Sequence, residues 1–236
     1  MASRIADIRK SVLTLALPVT VSSLLQRTEG IVAVFLVGGL GAIPIAAVGL
    51  GQLLAFIATT LVSGLSVGSN VIIAQLWGAK RQRDAGEAAR HFLGLSIAVS
   101  LVLAALGMTL NHLAMELLGA ESGVIALAIP YSTIIFLVIP FTVLLQVLSS
   151  ILQGTGDTRT PMYAMILVNL LHIGIAYPLV YGYWGLPSLG VKGAAIAVGI
   201  AEGIGVAFLW WRSRPILQQS THLRVDLIRT MWHVGA

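Results

Sequence analysis

The stretch QGTGDTRTPMYAMIL, Gln153 to Leu167, decides how this chain folds. It is a short polar turn with one Asp and one Arg, set between two long apolar runs. Asp157 is placed to cap either the helix that follows or the turn itself, while Thr158, Thr160 and Pro161 mark that helix's start. The rest of the chain says what kind of turn this is. Hydrophobic residues make up 57% of it and charged residues only 10%, against about 25% charged in an ordinary soluble domain. The mean hydropathy is +0.94, and several apolar runs reach the ~20 residues that carry a helix across a bilayer. A soluble protein of this composition would have a core and almost no surface to cover it. The turn is therefore an elbow between membrane helices.

Working outward from the elbow, the apolar runs predict six helices, at about 12–38, 46–77, 88–110, 123–153, 160–182 and 190–211. Those longer than the bilayer requires are expected to tilt or to project beyond it. Basic residues set the direction. Arg4, Arg9 and Lys10 precede the first span, Lys80, Arg81, Arg83 and Arg90 follow the second, Arg159 sits in the elbow, and Arg212, Arg214, Arg224 and Arg229 follow the sixth. These are twelve of the fourteen Lys and Arg residues, all on one side. The opposite side carries only Lys192, and its loop between spans three and four holds Glu116 and Glu121. By the positive-inside rule both termini are cytoplasmic. The expected architecture is an all-α integral membrane protein, multi-pass in the cell (inner) membrane.

The net charge of +5 does not point to nucleic acid, because the basic residues lie between spans rather than in a patch interleaved with aromatics. Cysteine is absent, which excludes disulfides and thiolate chemistry. The first apolar run is too long for a signal-peptide core and reads as a retained span. No nucleotide-binding loop, metal-ligand cluster or nucleophile–base pair appears, so the sequence predicts no enzyme, no cofactor and no ATP-driven transport in cis. Pro18, Pro130, Pro140 and Pro178 fall near or inside spans, and glycines such as Gly64 and Gly68 recur within them. Two readings stand for these: close packing through small residues, or bent helices whose freed carbonyls face a cavity. The glycines favour packing.

Several segments, in order, resemble the N-terminal half of the multidrug and toxic compound extrusion (MATE) family. They are LALPVTVSSLLQ and FLVGGLGAIPIAAVGL around the first span, GLSVGSNVIIAQLWGAKRQRDA at the second, QGTGDTRTPM at the elbow, and LGVKGAAIA entering the sixth. The resemblance implies a secondary antiporter that exports small organic, often cationic, compounds in exchange for H⁺ or Na⁺. It also implies two six-helix lobes of like topology facing a central cavity, of which residues 1–225 would form one. Residues 226–236 read as the start of a second, absent repeat: Ile228-Arg229-Thr230 follows Asp226 as Ile8-Arg9-Lys10 follows Asp7. The partner lobe would come from a missing C-terminal half or from a second copy, since six spans leave both termini on one side and allow a parallel twofold dimer. Other readings remain beside this one. One is a lipid-linked saccharide flippase, which would favour a more cationic cavity than Arg27 alone supplies. Another is a half-size or truncated membrane protein that does not transport.

Ionisable groups within spans identify the candidate site, since each costs at least ~2.5–3.5 kcal/mol on insertion scales. Glu29 leads. It is read either as an ion-coupling or substrate-binding carboxylate or as a charge paired across helices. Arg27, two residues away, does not share its helix face. His172 has an ordinary pKa near 6.5 that suits proton exchange, or it is a neutral ring hydrogen-bonded across helices. Glu202 is either functional or a silent, hydrogen-bonded carboxylic acid. Asn169, Gln26, Gln52 and Gln146 are candidate cavity-lining polar groups or interhelical hydrogen-bonding partners. Asp157 and Arg159 belong to the turn, as structural groups or as a gating ion pair with the basic loop. Many members of the family carry Asp where this chain has Ala33 and Ala176, Asn where it has His172, and a hydroxyl residue where it has Val198. The cation constellation the resemblance implies is therefore mostly replaced.

Overall fold

The computed structural model describes residues 2–218, with side chains from Thr14 onward. The apparent second-repeat start at 226–236, and with it Arg224 and Arg229, lies outside the described residues. Six long helices follow one another: α1 Ala2–Val37, α2 Ala42–Gly78, α3 Gln82–Leu117, α4 Ser122–Gly154, α5 Arg159–Tyr181 and α6 Val191–Leu217. Each is long and apolar enough to cross a membrane. They run alternately up and down. At one end, the Asn70 amide donates to the Ser150 carbonyl (3.2 Å), and Arg212 reaches Thr160, so α2, α4, α5 and α6 share the basic end. At the other, the Tyr181 hydroxyl donates to the Leu36 carbonyl at 2.9 Å, joining the outer ends of α1 and α5.

The elbow forms for reasons visible in its residues. Gly156 adopts φ +93°, a left-handed conformation that a Cβ would oppose. Its N–H bonds the Gln153 carbonyl, and the Asp157 N–H bonds the Leu152 carbonyl. This paired closure satisfies the last carbonyls of α4. The Asp157 carboxylate then turns to the next helix. One oxygen accepts from the Thr160 N–H at 3.0 Å, and the other from the Thr160 hydroxyl at 2.6 Å. One residue thus closes α4 and caps α5. The same closure ends α2 at Lys80 and α3 at Gly119.

Helix α4 carries no charge and is apolar around its circumference, so it occupies the centre. Ile139, Val143, Leu148 and Ile151 of α4 meet Ile73 of α2, Phe92 of α3, and Ala201 and Leu209 of α6. Helix α1 lies at the periphery, mainly against α5, and exposes Leu17, Ile31 and Phe35. Such exposed apolar side chains recur on α2 and α3, as expected where a helix faces lipid. The glycines divide. At Gly51 a Cβ would meet the Tyr131 ring, and at Gly193 the Leu179 backbone carbonyl, so close crossings require glycine there. A Cβ at Gly64 would meet nothing within 4 Å. Packing therefore explains some of the glycines and leaves Gly64 without an account.

Boundaries in α1, α3 and α6 differ most from the sequence reading, with α6 running on to Leu217 past the expected 211, so that Arg212 and Arg214 lie on the helix. Helix α1 starts at Ala2 rather than near residue 12. Helix α3 spans 36 residues, Gln82–Leu117, where the apolar run alone predicted 88–110. Its first turns bury Ala85, Ala88 and Ala89 while exposing Arg83, so an amphipathic extension looked like a loop. The link from α2 to α3 shrinks to Ala79–Arg81, with Arg83 and Arg90 on the helix. Glu116 likewise sits in the last turn of α3, 3.3 Å from His112, and not in the loop.

Candidate functional site

Four helices each present one stripe of residues to a common cleft. Helix α1 contributes Gln26, Glu29, Gly30 and Ala33, spaced by three or four residues, so they share a face. Helix α2 adds Gln52, Phe56, Thr59, Thr60 and Ser63. From α4 come Tyr131, Ile135, Ile139, Thr142 and Gln146, and from α6 Val198 and Glu202. Together with Arg27 and neighbouring residues they enclose about 680 Å³, the size of a site for a drug-sized molecule. Pro18, Pro130, Pro140 and Pro178 lie inside helices, and none of them lines the cleft.

Two carboxylates from distant parts of the chain line this cleft. Glu202 is only 3% exposed, and its Oε2 accepts a hydrogen bond from the Thr142 hydroxyl at 2.6 Å. Glu29 lies within electrostatic range of Glu202 and of Tyr131. Its buried Oε1 has no hydrogen-bond partner among the described residues. Gln52 fixes the neighbouring backbone by donating to the Gly30 carbonyl at 3.0 Å, and it also reaches the Tyr131 hydroxyl. Along α2, the hydroxyls of Thr59, Thr60 and Ser63 donate to carbonyls of their own helix and leave oxygen lone pairs toward the cleft. Two carboxylates on one cleft, beside a hydroxyl-lined wall, offer places for a proton or a cation. Among the described residues no group of three or more His, Asp or Glu is placed to hold a metal ion.

The candidates separate by position. Glu29, Glu202, Gln26, Gln52 and Gln146 line the cleft; His172 and Asn169 do not. Asn169 bonds its own helix at Met165 O (2.9 Å) and reaches across to Leu25 O on α1 (3.3 Å), which ties α1 to α5. His172 is fully buried, and neither ring nitrogen has a hydrogen-bond partner among the described residues, so the cross-helix bond expected of a neutral ring is not formed there. At the elbow, Asp157 faces Arg212 of α6 at 4.0 Å rather than the basic α2–α3 link. Arg159 is exposed and outside any ion pair among the described residues. Sequence reading passed over Thr142, Tyr131 and the α2 hydroxyls. Their only signal was a polar residue every third or fourth position along otherwise apolar spans.

A bundle of six membrane-length helices around an open cleft lined by two carboxylates from different helices defines a multi-pass membrane protein. The MatE family profile matches residues 18–178, well over half of the chain, and the chain belongs to that family. It is 31% identical over 185 residues to the probable multidrug resistance protein YoeA of Bacillus subtilis (strain 168), a match covering 78% of this chain and 40% of that protein. It is 28% identical to the probable multidrug resistance protein NorM of Thermotoga maritima, over 97% of this chain and 49% of the relative. The crystal structure of MATE in the bent conformation superimposes with a TM-score of 0.82 at 26% identity, covering 96% of this chain and 51% of that one. The chain thus spans about half the length of the curated relatives it matches.

Proposed function

We propose that this lobe belongs to an ion-coupled exporter of organic cations, with Glu29 and Glu202 as the groups that exchange H⁺ or Na⁺ for substrate. The observation that carries this reading is the convergence of the two carboxylates, from α1 and α6, on one cleft of about 680 Å³. Two acidic groups within electrostatic range hold one positive charge more readily than none. A coupling ion and a substrate cation would then compete for the same place, and reciprocal competition links their fluxes. His172 stands behind the cleft rather than in it, so this reading assigns the exchange to the carboxylate pair. The basic end, carrying Lys80, Arg81, Arg83, Arg159, Arg212 and Arg214, is assigned to the cytoplasm. The open side of the cleft is assigned to a second six-helix lobe, from the same polypeptide or from a second copy. Relatives of about twice this length, named as multidrug resistance proteins, support that assignment.

The test measures binding of tetraphenylphosphonium to the purified full chain in weakly buffered detergent, recording proton release and displacement by Na⁺ at constant ionic strength. Binding should expel protons or yield to Na⁺. E29Q and E202Q should each weaken binding at least tenfold and remove the ion response while the protein still inserts and elutes as a single species. Binding that is indifferent to both ions, or unchanged in both variants, refutes the assignment.

A further inference from the structure

Helix α6 is drawn close to its neighbours on both sides of Glu202. A Cβ at Gly199 would stand 2.8 Å from Cγ2 of Val138 on α4. One at Gly205 would stand 2.5 Å from Cγ2 of Val168 on α5 and 3.0 Å from Cδ1 of Leu145 on α4. The two glycines let the α6 backbone approach where a side chain would hold it off. The Glu202 carboxyl is thereby set against the Thr142 hydroxyl, which donates to Oε2 at 2.6 Å. Thr142 has a second acceptor in reach, the Val138 carbonyl one turn back on its own helix, at 3.5 Å. A hydroxyl has one proton to donate, so it serves one of these acceptors at a time. Of the charged and titratable groups on the helices packed against α6, Glu29 and Arg27 of α1 and Tyr131 of α4 share the cleft with Glu202. Helix α2 carries no charge. Those of α3 and α5 sit toward the helix ends, except His172, which is buried outside the cleft.

We infer that Thr142 is the positioning residue for Glu202, and that its hydroxyl proton changes acceptor as Glu202 gains and loses a proton of its own. With Glu202 ionised, the hydroxyl donates to Oε2 and favours the charged form. When Glu202 takes a proton from solution, the new O–H donates to Thr142 Oγ1. The hydroxyl proton then turns to the Val138 carbonyl, which keeps its helix bond and accepts through its second lone pair. Neither state strands a donor. Thr142 thus sets the pH at which Glu202 loads, given the proposed exchange at that carboxylate, on which this role depends.

The test follows tetraphenylphosphonium affinity of the purified full chain across a series of pH values at constant ionic strength. A cation competes with protons for the carboxylates, so affinity should climb with pH and then level off. T142V keeps the outline of the side chain and deletes the hydroxyl. Its climb should be displaced to higher pH by about one unit, the size of one hydrogen bond to a charged group. On the rising limb that reads as about tenfold weaker binding, and the deficit should narrow toward the plateau. T142S, which restores the hydroxyl, should bring the midpoint back. Beside E202Q, T142V should leave the profile where E202Q alone puts it, since Thr142 acts through Glu202. T142A takes the place of T142V if that variant fails to elute as a single species. An undisplaced profile in T142V, a midpoint that T142S does not restore, or a displacement that persists beside E202Q overturns the inference. So does a deficit equal at every pH, which would make Thr142 a substrate contact. A wild-type profile that is flat in pH yet yields to Na⁺ also overturns it and leaves the exchange reading standing. Binding that is unchanged in both E29Q and E202Q, or absent altogether, removes that reading and this one with it.

Discussion

Removal of the Asp157 carboxylate should loosen the joint between α4, α5 and α6 by an amount the geometry sets. In D157A the Thr160 N–H loses its cap, a contribution of ~1 kcal/mol. The Thr160 hydroxyl loses its 2.6 Å acceptor, worth about another 1 kcal/mol at this partly exposed position. Arg212, 4.0 Å away with its side chain 48% exposed, adds at most a few tenths. The expected loss is about 2 kcal/mol. At roughly 2–4 °C per kcal/mol for a chain of this size, the unfolding midpoint in detergent should fall by about 4–8 °C. D157N retains one acceptor oxygen for the cap and should fall by about half as much, as should T160V, which keeps the cap and removes the hydroxyl's bond to Asp157 and its long contact with Arg212. The five tryptophans report unfolding, and Trp211, with the Arg212 guanidinium 6.0 Å from its ring centroid, lies beside the joint. Because the cap dominates, the deficit should change little between low and high salt. A D157A midpoint within about 1 °C of wild type refutes the argument. So does a deficit in D157N equal to that in D157A, or one that high salt abolishes.

Two further substitutions probe the cleft and its boundary. G51A places a Cβ 2.5 Å from Cδ1 of Tyr131, which must push the ring out of its seat; tetraphenylphosphonium affinity should fall severalfold, whereas G64A, facing open space, should leave it unchanged. N169A releases the Leu25 carbonyl from its cross-helix bond of 3.3 Å, worth ~1 kcal/mol. Hydrogen exchange on α1 around Leu25 should then rise about fivefold, with the α4 core unchanged; equal protection in both proteins would show that Asn169 does not hold α1.

The relation of sequence to structure differs between the helices and the site. The elbow was legible because its chemistry is local: Gly156, Asp157 and Thr160 satisfy backbone groups within six residues, so their spacing alone announces where one helix stops and the next begins. The six spans were legible because the bilayer demands length and apolarity of each segment separately. The first turns of α3 were not, since Arg83 on one face masks the buried Ala85, Ala88 and Ala89 behind it, and only packing against neighbours distinguishes that helix from a loop. Local pattern named Glu29 and Glu202 as costly charges in lipid.

What the residues by themselves determined is therefore the membrane, the number of crossings and the basic end, which follow from hydropathy, charge and short-range hydrogen bonding, while the family's architecture came from the resemblance of several segments. Which charges meet was decided only in three dimensions. Glu29 and Glu202 stand far apart in the chain, and nothing in either neighbourhood says that α1 and α6 turn the two toward one cleft while His172 is left behind it. Thr142 becomes a partner of Glu202 only through the crossing of α4 and α6. That crossing is set by side chains packed between helices remote in sequence, and its geometry cannot be read from any one of them alone.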